Sequence, residues 1–175
     1  REVAAMNENR QPVHFEYLEF PALRFIGVDA WRTQEEWDDM WRRKEDFLPP
    51  LEEMKEQISP IMPYRCAFMH HDDGEVDKIN RYLIGHFFDV GTPVPEGYDY
   101  HDLKPQTAAY AVFHGATFQD LFVRYEVTRD KILSDGMGIP YPVGYWHAEV
   151  YFEKTPDEEG LLNCGVLFSC HKSNV

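Results

Sequence analysis

Gly144-Tyr-Trp-His-Ala-Glu-Val-Tyr-Phe152 is rich in aromatic and β-branched residues and lies between turn formers, Pro142-Val-Gly144 before it and Thr155-Pro156-Asp157 after it. That composition predicts a β-strand. Successive side chains of a strand point to opposite faces. Trp146, Ala148, Val150 and Phe152 therefore make one apolar face, suited to a core. Tyr145, His147, Glu149 and Tyr151 make the other, where a carboxylate sits among rings that each carry a polar tip. Such a surface suits a flat hydrophobic ligand bearing a positive charge, because ring faces attract cations and a carboxylate pairs with them. Taken alone, the spacing is also satisfied by an ordinary half-exposed strand with Glu149 and His147 in water. The weight for a ligand surface comes from the rest of the chain.

Outward from this strand, the chain is 175 residues long, enough for one real core; 43% of it is hydrophobic and 15% aromatic. Thirty-one acidic residues against 17 basic ones leave a net charge of −14. A nucleic-acid surface needs a basic patch, so this chain is not expected to contact nucleic acid itself. No apolar run approaches about 18 residues, so no membrane span is predicted. Cys66, Cys164 and Cys170 are odd in number and lack metal-type spacing. Cys66 and Cys164 sit in apolar strand contexts, as inert thiols do; with no signal peptide legible, a reducing cytoplasm is the expected compartment. The sequence opens at Arg1 rather than Met, which leaves room for an N-terminal portion.

In chain order, residues 1–12 read as a frayed lead-in. A strand region follows from Val13 to Trp31, interrupted at Pro21. Thr33 and Glu36 form a capping box for a helix carrying Trp37, Met40, Trp41, Lys44 and Leu48, which Pro49-Pro50 breaks or kinks. Leu51–Gln57 reads as a further short helix. Strands at Pro63–His71 and Asn80–Val90 come next, joined by an acidic turn. Gly91-Thr-Pro-Val-Pro-Glu-Gly97 is the clearest linker, and residues 91–99 divide two similar halves, 13–90 and 100–172. The second half runs strand (Asp102–His114), helix (Phe118, Leu121, Phe122, Tyr125, Thr128 and Ile132 as its buried stripe, Asp135-Gly136 as its stop), then Gly144–Phe152, an acidic turn and a last strand, Leu161–His171. Tyr64-Arg-Cys-Ala-Phe-Met69 parallels Trp146-His-Ala-Glu-Val-Tyr151. The expected fold is therefore α+β: tandem duplicated βαββ units forming one antiparallel sheet, one long helix per half, and a ligand cleft at the seam.

A duplicated βαββ unit with Tyr110-Ala-Val-Phe-His-Gly115 opening its second half, and Ala148-Glu-Val-Tyr151 followed by a Thr-Pro-Asp-Glu-Glu turn, resembles the GyrI-like small-molecule-binding domain. That is the effector-binding domain of AraC-type and MerR-type multidrug regulators, also found alone, and the resemblance spans about residues 13–171. It implies a single effector-binding domain over 13–175, binding lipophilic cationic aromatic compounds in transcription regulation. It places the acidic anchor on Glu149 and the cleft's rings on Tyr110, Tyr145, Tyr151 and Trp146, although strand alternation assigns Trp146 to the core. The second glutamate that many members carry in the last strand is replaced here by Asn163-Cys-Gly165. His147 shares the face of Glu149, and His114 is expected to approach from a neighbouring strand. Trp31, Trp37 and Trp41 are candidates for the facing wall, though tryptophans at helical spacing read as core.

Other chemistry is weakly signalled. His70-His-Asp-Asp73 reads as a solvated hairpin tip, since consecutive strand residues cannot converge on a metal. His86, His101 and His171 read as surface or satisfied histidines. Gly136-Met-Gly138 reads as a loop. No Gly-rich phosphate loop, nucleophile elbow or Cys-x-x-Cys pair is present, so no cofactor, metal or catalytic residue is expected. Two alternatives stand beside the binding module. Some relatives of the family are hydrolases of strained electrophiles, and a partly desolvated Glu149 suits general acid–base work. The domain could instead serve protein interaction. A homodimer is compatible with any of these.

Overall fold

The structure, a computed structural model, describes residues 11–30, 33–71, 81–140 and 145–173. Most of the lead-in, Trp31, Asp72-Asp73 and Gly144 lie outside the described residues. The strands are β1 (His14–Phe20), β2 (Leu23–Asp29), β3 (Arg65–His71), β4 (Arg81–Asp89), β5 (Asp99–Leu103), β6 (Gln106–Ala116), β7 (Met137–Gly138), β8 (Tyr145–Tyr151) and β9 (Leu162–Lys172). The helices are α1 (Gln34–Arg42), α2 (Lys44–Glu52) and α3 (Leu121–Ser134), the last entered through a 3-10 turn at Phe118–Asp120. None of these is long and apolar enough to cross a membrane.

All named strand pairs are antiparallel, in the order β1-β6-β9-β8-β3-β4-β2-β5, with the short β7 on the end of β9. β1 runs into β2 across Pro21-Ala22, and β5 into β6 across Lys104-Pro105. The two ends of the sheet are thus joined by chain, and the sheet curls round on itself. Proline has no N–H to offer a ladder and fits at such corners. The inner face collects Phe20, Phe25, Phe68, Leu83, Phe87, Leu103, Trp146, Val150 and Leu167 into one buried cluster drawn from nearly every strand. Close approach is needed within it: Gly27 faces Gly85 across β2 and β4, and a Cβ on Gly85 would sit 1.9 Å from the Ile26 carbonyl oxygen.

The outer face is covered by helices. α1 and α2 pack Trp37, Trp41, Phe47 and Leu48 on Ala67, Met69 and Ile84, while the α3 side buries Ile132 with Ala109, Phe113 and Val166. Arg124 is fully buried on α3, its guanidinium 5.4 Å from the centre of the Phe113 ring. Phe122, expected in the buried stripe, is 73% exposed. Thr33 caps α1 by accepting the Glu36 N–H at 3.0 Å, and Gly136 adopts the left-handed conformation expected of a helix stop (φ 78°).

Two expectations are corrected here. In the first half the helical run breaks at Arg43 and not at Pro49-Pro50, which lie inside α2, and residues 53–57, read as part of a further short helix, fall after the end of α2 as turn. At the break the Asp46 N–H bonds the Arg43 carbonyl in a tight turn. Met137–Gly138, read as loop, pairs with His171 and Lys172 of β9.

Candidate ligand-binding site

β3 and β8 lie side by side at the middle of the sheet, Ala67 opposite Glu149 and His71 opposite Tyr145. Their outward side chains form the floor of a cleft whose walls are α1 and α3. The cleft encloses about 360 Å³, within the range of small-molecule sites. Met69, His71, His147, Glu149 and Phe168 line the floor, Trp37 and Phe118 one wall, and Tyr125, Phe122 and Arg129 the other.

Glu149 is buried, with 5% of its surface exposed, which overturns the reading that leaves it in water. The Tyr125 hydroxyl donates to one carboxylate oxygen at 2.8 Å, and the Tyr151 hydroxyl donates to the other. Burial raises the carboxyl above its ordinary range, and these two phenolic donors only partly offset it. Burial and the Glu149 charge in turn push Tyr125 and Tyr151 well up, so both stay protonated donors. His147 is pushed down to about 3 by burial, with His71 adding to the effect; it is a neutral imidazole. Its ring stacks on Phe168 at 5.6 Å and meets Tyr125 edge-on at 4.7 Å. The floor is therefore aromatic and holds one deeply buried carboxylate.

Of the residues expected from sequence, Glu149, His147 and Tyr145 line the cleft. Tyr151 lies behind Glu149, 3% exposed and edge-on to Trp41 at 5.2 Å. Three expectations are not met. Trp146 faces the inner core, 1% exposed and stacked on Phe20, as strand alternation requires and the resemblance does not. Tyr110 packs on the same inner cluster. His114 is exposed at the far end of β6, outside the cleft lining. Trp37 does form wall, whereas Trp41 is wholly buried. Across β8 and β9, Glu149 faces Val166, and Asn163 instead accepts the Gly115 N–H at the strand's end, at 3.3 Å.

The His-His-Asp-Asp reading also needs correction, because His70 and His71 are buried β3 residues and not a solvated tip. They point to opposite faces: His70 packs on His101 with ring centres 3.9 Å apart, and His71 lines the cleft with its Nε2 3.4 Å from His147 Nδ1. His86 is buried against Glu52 at 3.0 Å. Among the described residues no three His, Cys, Asp or Glu side chains converge as metal ligands would. Cys66, Cys164 and Cys170 are buried free thiols, and burial pushes Cys164 up to about 12. Among the cleft residues that sequence reasoning missed are His71, Tyr82, Tyr125 and Phe168. Only strand parity carried a signal for His71, which falls on the face of Met69.

No family model matches the sequence, and no curated protein matches it. Solved structures do match the fold. A protein from Staphylococcus aureus MU50 named for bacterial transcription regulation superposes with a TM-score of 0.58 at 11% identity, covering 91% of this chain and 99% of its own. SAV2435 bound to tetraphenylphosphonium gives 0.56 at 13% identity, covering 90% and 94%. The C-terminal domain of EcmrR gives 0.53 at 14% identity, covering 91% and 98%. At these identities the likeness establishes architecture alone: an α+β fold with a large antiparallel sheet, shared with regulator domains and with a protein that holds a lipophilic cation.

Proposed function

We propose that this chain is a binding module for lipophilic aromatic cations, acting as the effector domain of a transcription regulator or as a stand-alone drug-binding protein in the cytoplasm. One observation carries the reading: Glu149 is a buried carboxylate on an aromatic floor, with phenols and, among the described residues, no basic side chain bonded to it. A charge taken out of water without a partner is costly. A cationic ligand supplies the partner, and the surrounding rings add stacking and cation–π attraction. The tetraphenylphosphonium held by SAV2435, on the same fold, supports this choice of ligand. The EcmrR chain in its DNA complex is longer, with 63% of it matched here; DNA contact is not proposed for the present acidic chain.

The test is binding of tetraphenylphosphonium, followed by thermal shift and fluorescence quenching, to wild type and Glu149→Gln. Leaving the ligand's charge unpaired is expected to cost about 3 kcal/mol or more, over a hundredfold in affinity. Equal affinity in the variant would show that Glu149 is not the anchor. A hydrolase is the second reading, favoured by the raised Glu149 carboxyl, which suits a general base. It requires turnover of an electrophilic substrate that Glu149→Gln abolishes.

A further inference from the structure

Glu149 is not the only charged group of this cleft. α3 carries Glu126 and Arg129 at the mouth, and Arg129 lies four residues beyond Tyr125, which donates to Glu149. Four helical residues rise about 6 Å. On β8 the matching step, from Glu149 to Tyr145 on the same face, covers about 13 Å. Tyr125 meets Glu149 directly, while Arg129 and Tyr145 line the same cleft, one helical turn and four strand residues further along. Between them the floor is His147, uncharged, stacked on Phe168. Among the described residues the ion pair of Arg129 is with neighbouring Asp130, a long 4.0 Å between two largely exposed side chains, worth little.

We infer that the cleft selects zwitterionic aromatic ligands: a flat body whose cationic end meets Glu149 and whose carboxylate or sulfonate, on the order of 10 Å away, meets Arg129 and the Tyr145 hydroxyl. This rests on Glu149 being the cation anchor. For a bare cation, a guanidinium at the mouth is a repulsive neighbour; for a zwitterion it is the second anchor. Glu126, three residues before Arg129 on the same rim, opposes the anionic end.

The test compares rhodamine B, zwitterionic near neutral pH, with its ethyl ester, a cation of the same ring system, by fluorescence anisotropy. Arg129→Gln, at an exposed site that does not endanger folding, is expected to weaken rhodamine B about fivefold and to tighten the ester, whose cation it no longer repels. Glu126→Gln is expected to strengthen rhodamine B. If Arg129→Gln shifts both dyes equally, or neither, the inference is wrong. Glu149→Gln with the ester separates the two levels. Ester binding that survives it overturns the cation anchor itself, whereas loss of ester binding without any Arg129 selectivity overturns only the zwitterion preference.

Discussion

Glu149→Gln is expected to stabilise the empty protein while it removes cation binding. The buried carboxylate accepts from Tyr125 and Tyr151 and has no basic partner among the described residues. Glutamine preserves its shape. The amide oxygen accepts from one phenol, and the amide N–H donates to the other once that hydroxyl turns. What changes is the burial of a net charge, which costs several kcal/mol and is only partly offset by two charge-assisted hydrogen bonds. The expected gain is about 2 kcal/mol near neutral pH, or roughly 4–8 °C in Tm for a chain of this size. The sign with pH follows from linkage. The folded carboxyl lies above its ordinary 4.5, so the native state holds the proton more tightly than the unfolded one. That advantage is complete below the ordinary value and is lost as pH rises through 4.5 to the folded value. The variant has no such titration. Ligand-free melting curves of the two proteins, followed by circular dichroism across a pH series, should therefore coincide in acid and separate upward. A variant less stable than wild type by the same amount at every pH would refute the reasoning.

Two further predictions follow from the same geometry. Tetraphenylphosphonium should bind with rising affinity as pH climbs through the raised Glu149 value, then level off, with proton release seen by calorimetry in buffers of different ionisation enthalpy. His147, held down to about 3, stays neutral over that range, and Tyr82, Tyr125, Tyr151 and Cys164 stay protonated, so pH-independent affinity would contradict Glu149 as the ionising group. Trp146→Ala should cost about 3–5 kcal/mol in denaturant melts, as large-to-small changes in a closed core do, whereas the milder Trp146→Phe should leave dye affinity intact. Lost affinity in a stably folded Trp146→Phe protein would return that ring to the site.

The alternation in Gly144–Phe152 was enough to put Trp146 inside and Tyr145, His147 and Glu149 together on the other face, because a strand's period is a local property of the backbone. It was right about Trp146 where the family resemblance was not. Capping at Thr33 and the stop at Gly136 were legible for the same reason: each depends on a few adjacent residues. Alternation could not say that the second face is also covered. Glu149 is buried only because α1 and α3 close over β8 and because β3, far away in sequence, pairs beside it. That pairing turns His71 from a supposed hairpin tip into cleft floor, and it leaves Tyr110 and His114 elsewhere. The phenol of Tyr125 reaches Glu149 across 24 residues of chain, a meeting that no spacing rule encodes. Sequence by itself determined the α+β class and the carboxylate among rings. Tertiary structure decided which rings surround that carboxylate and how dry it is, since contact and desolvation are properties of packed elements and not of neighbouring residues.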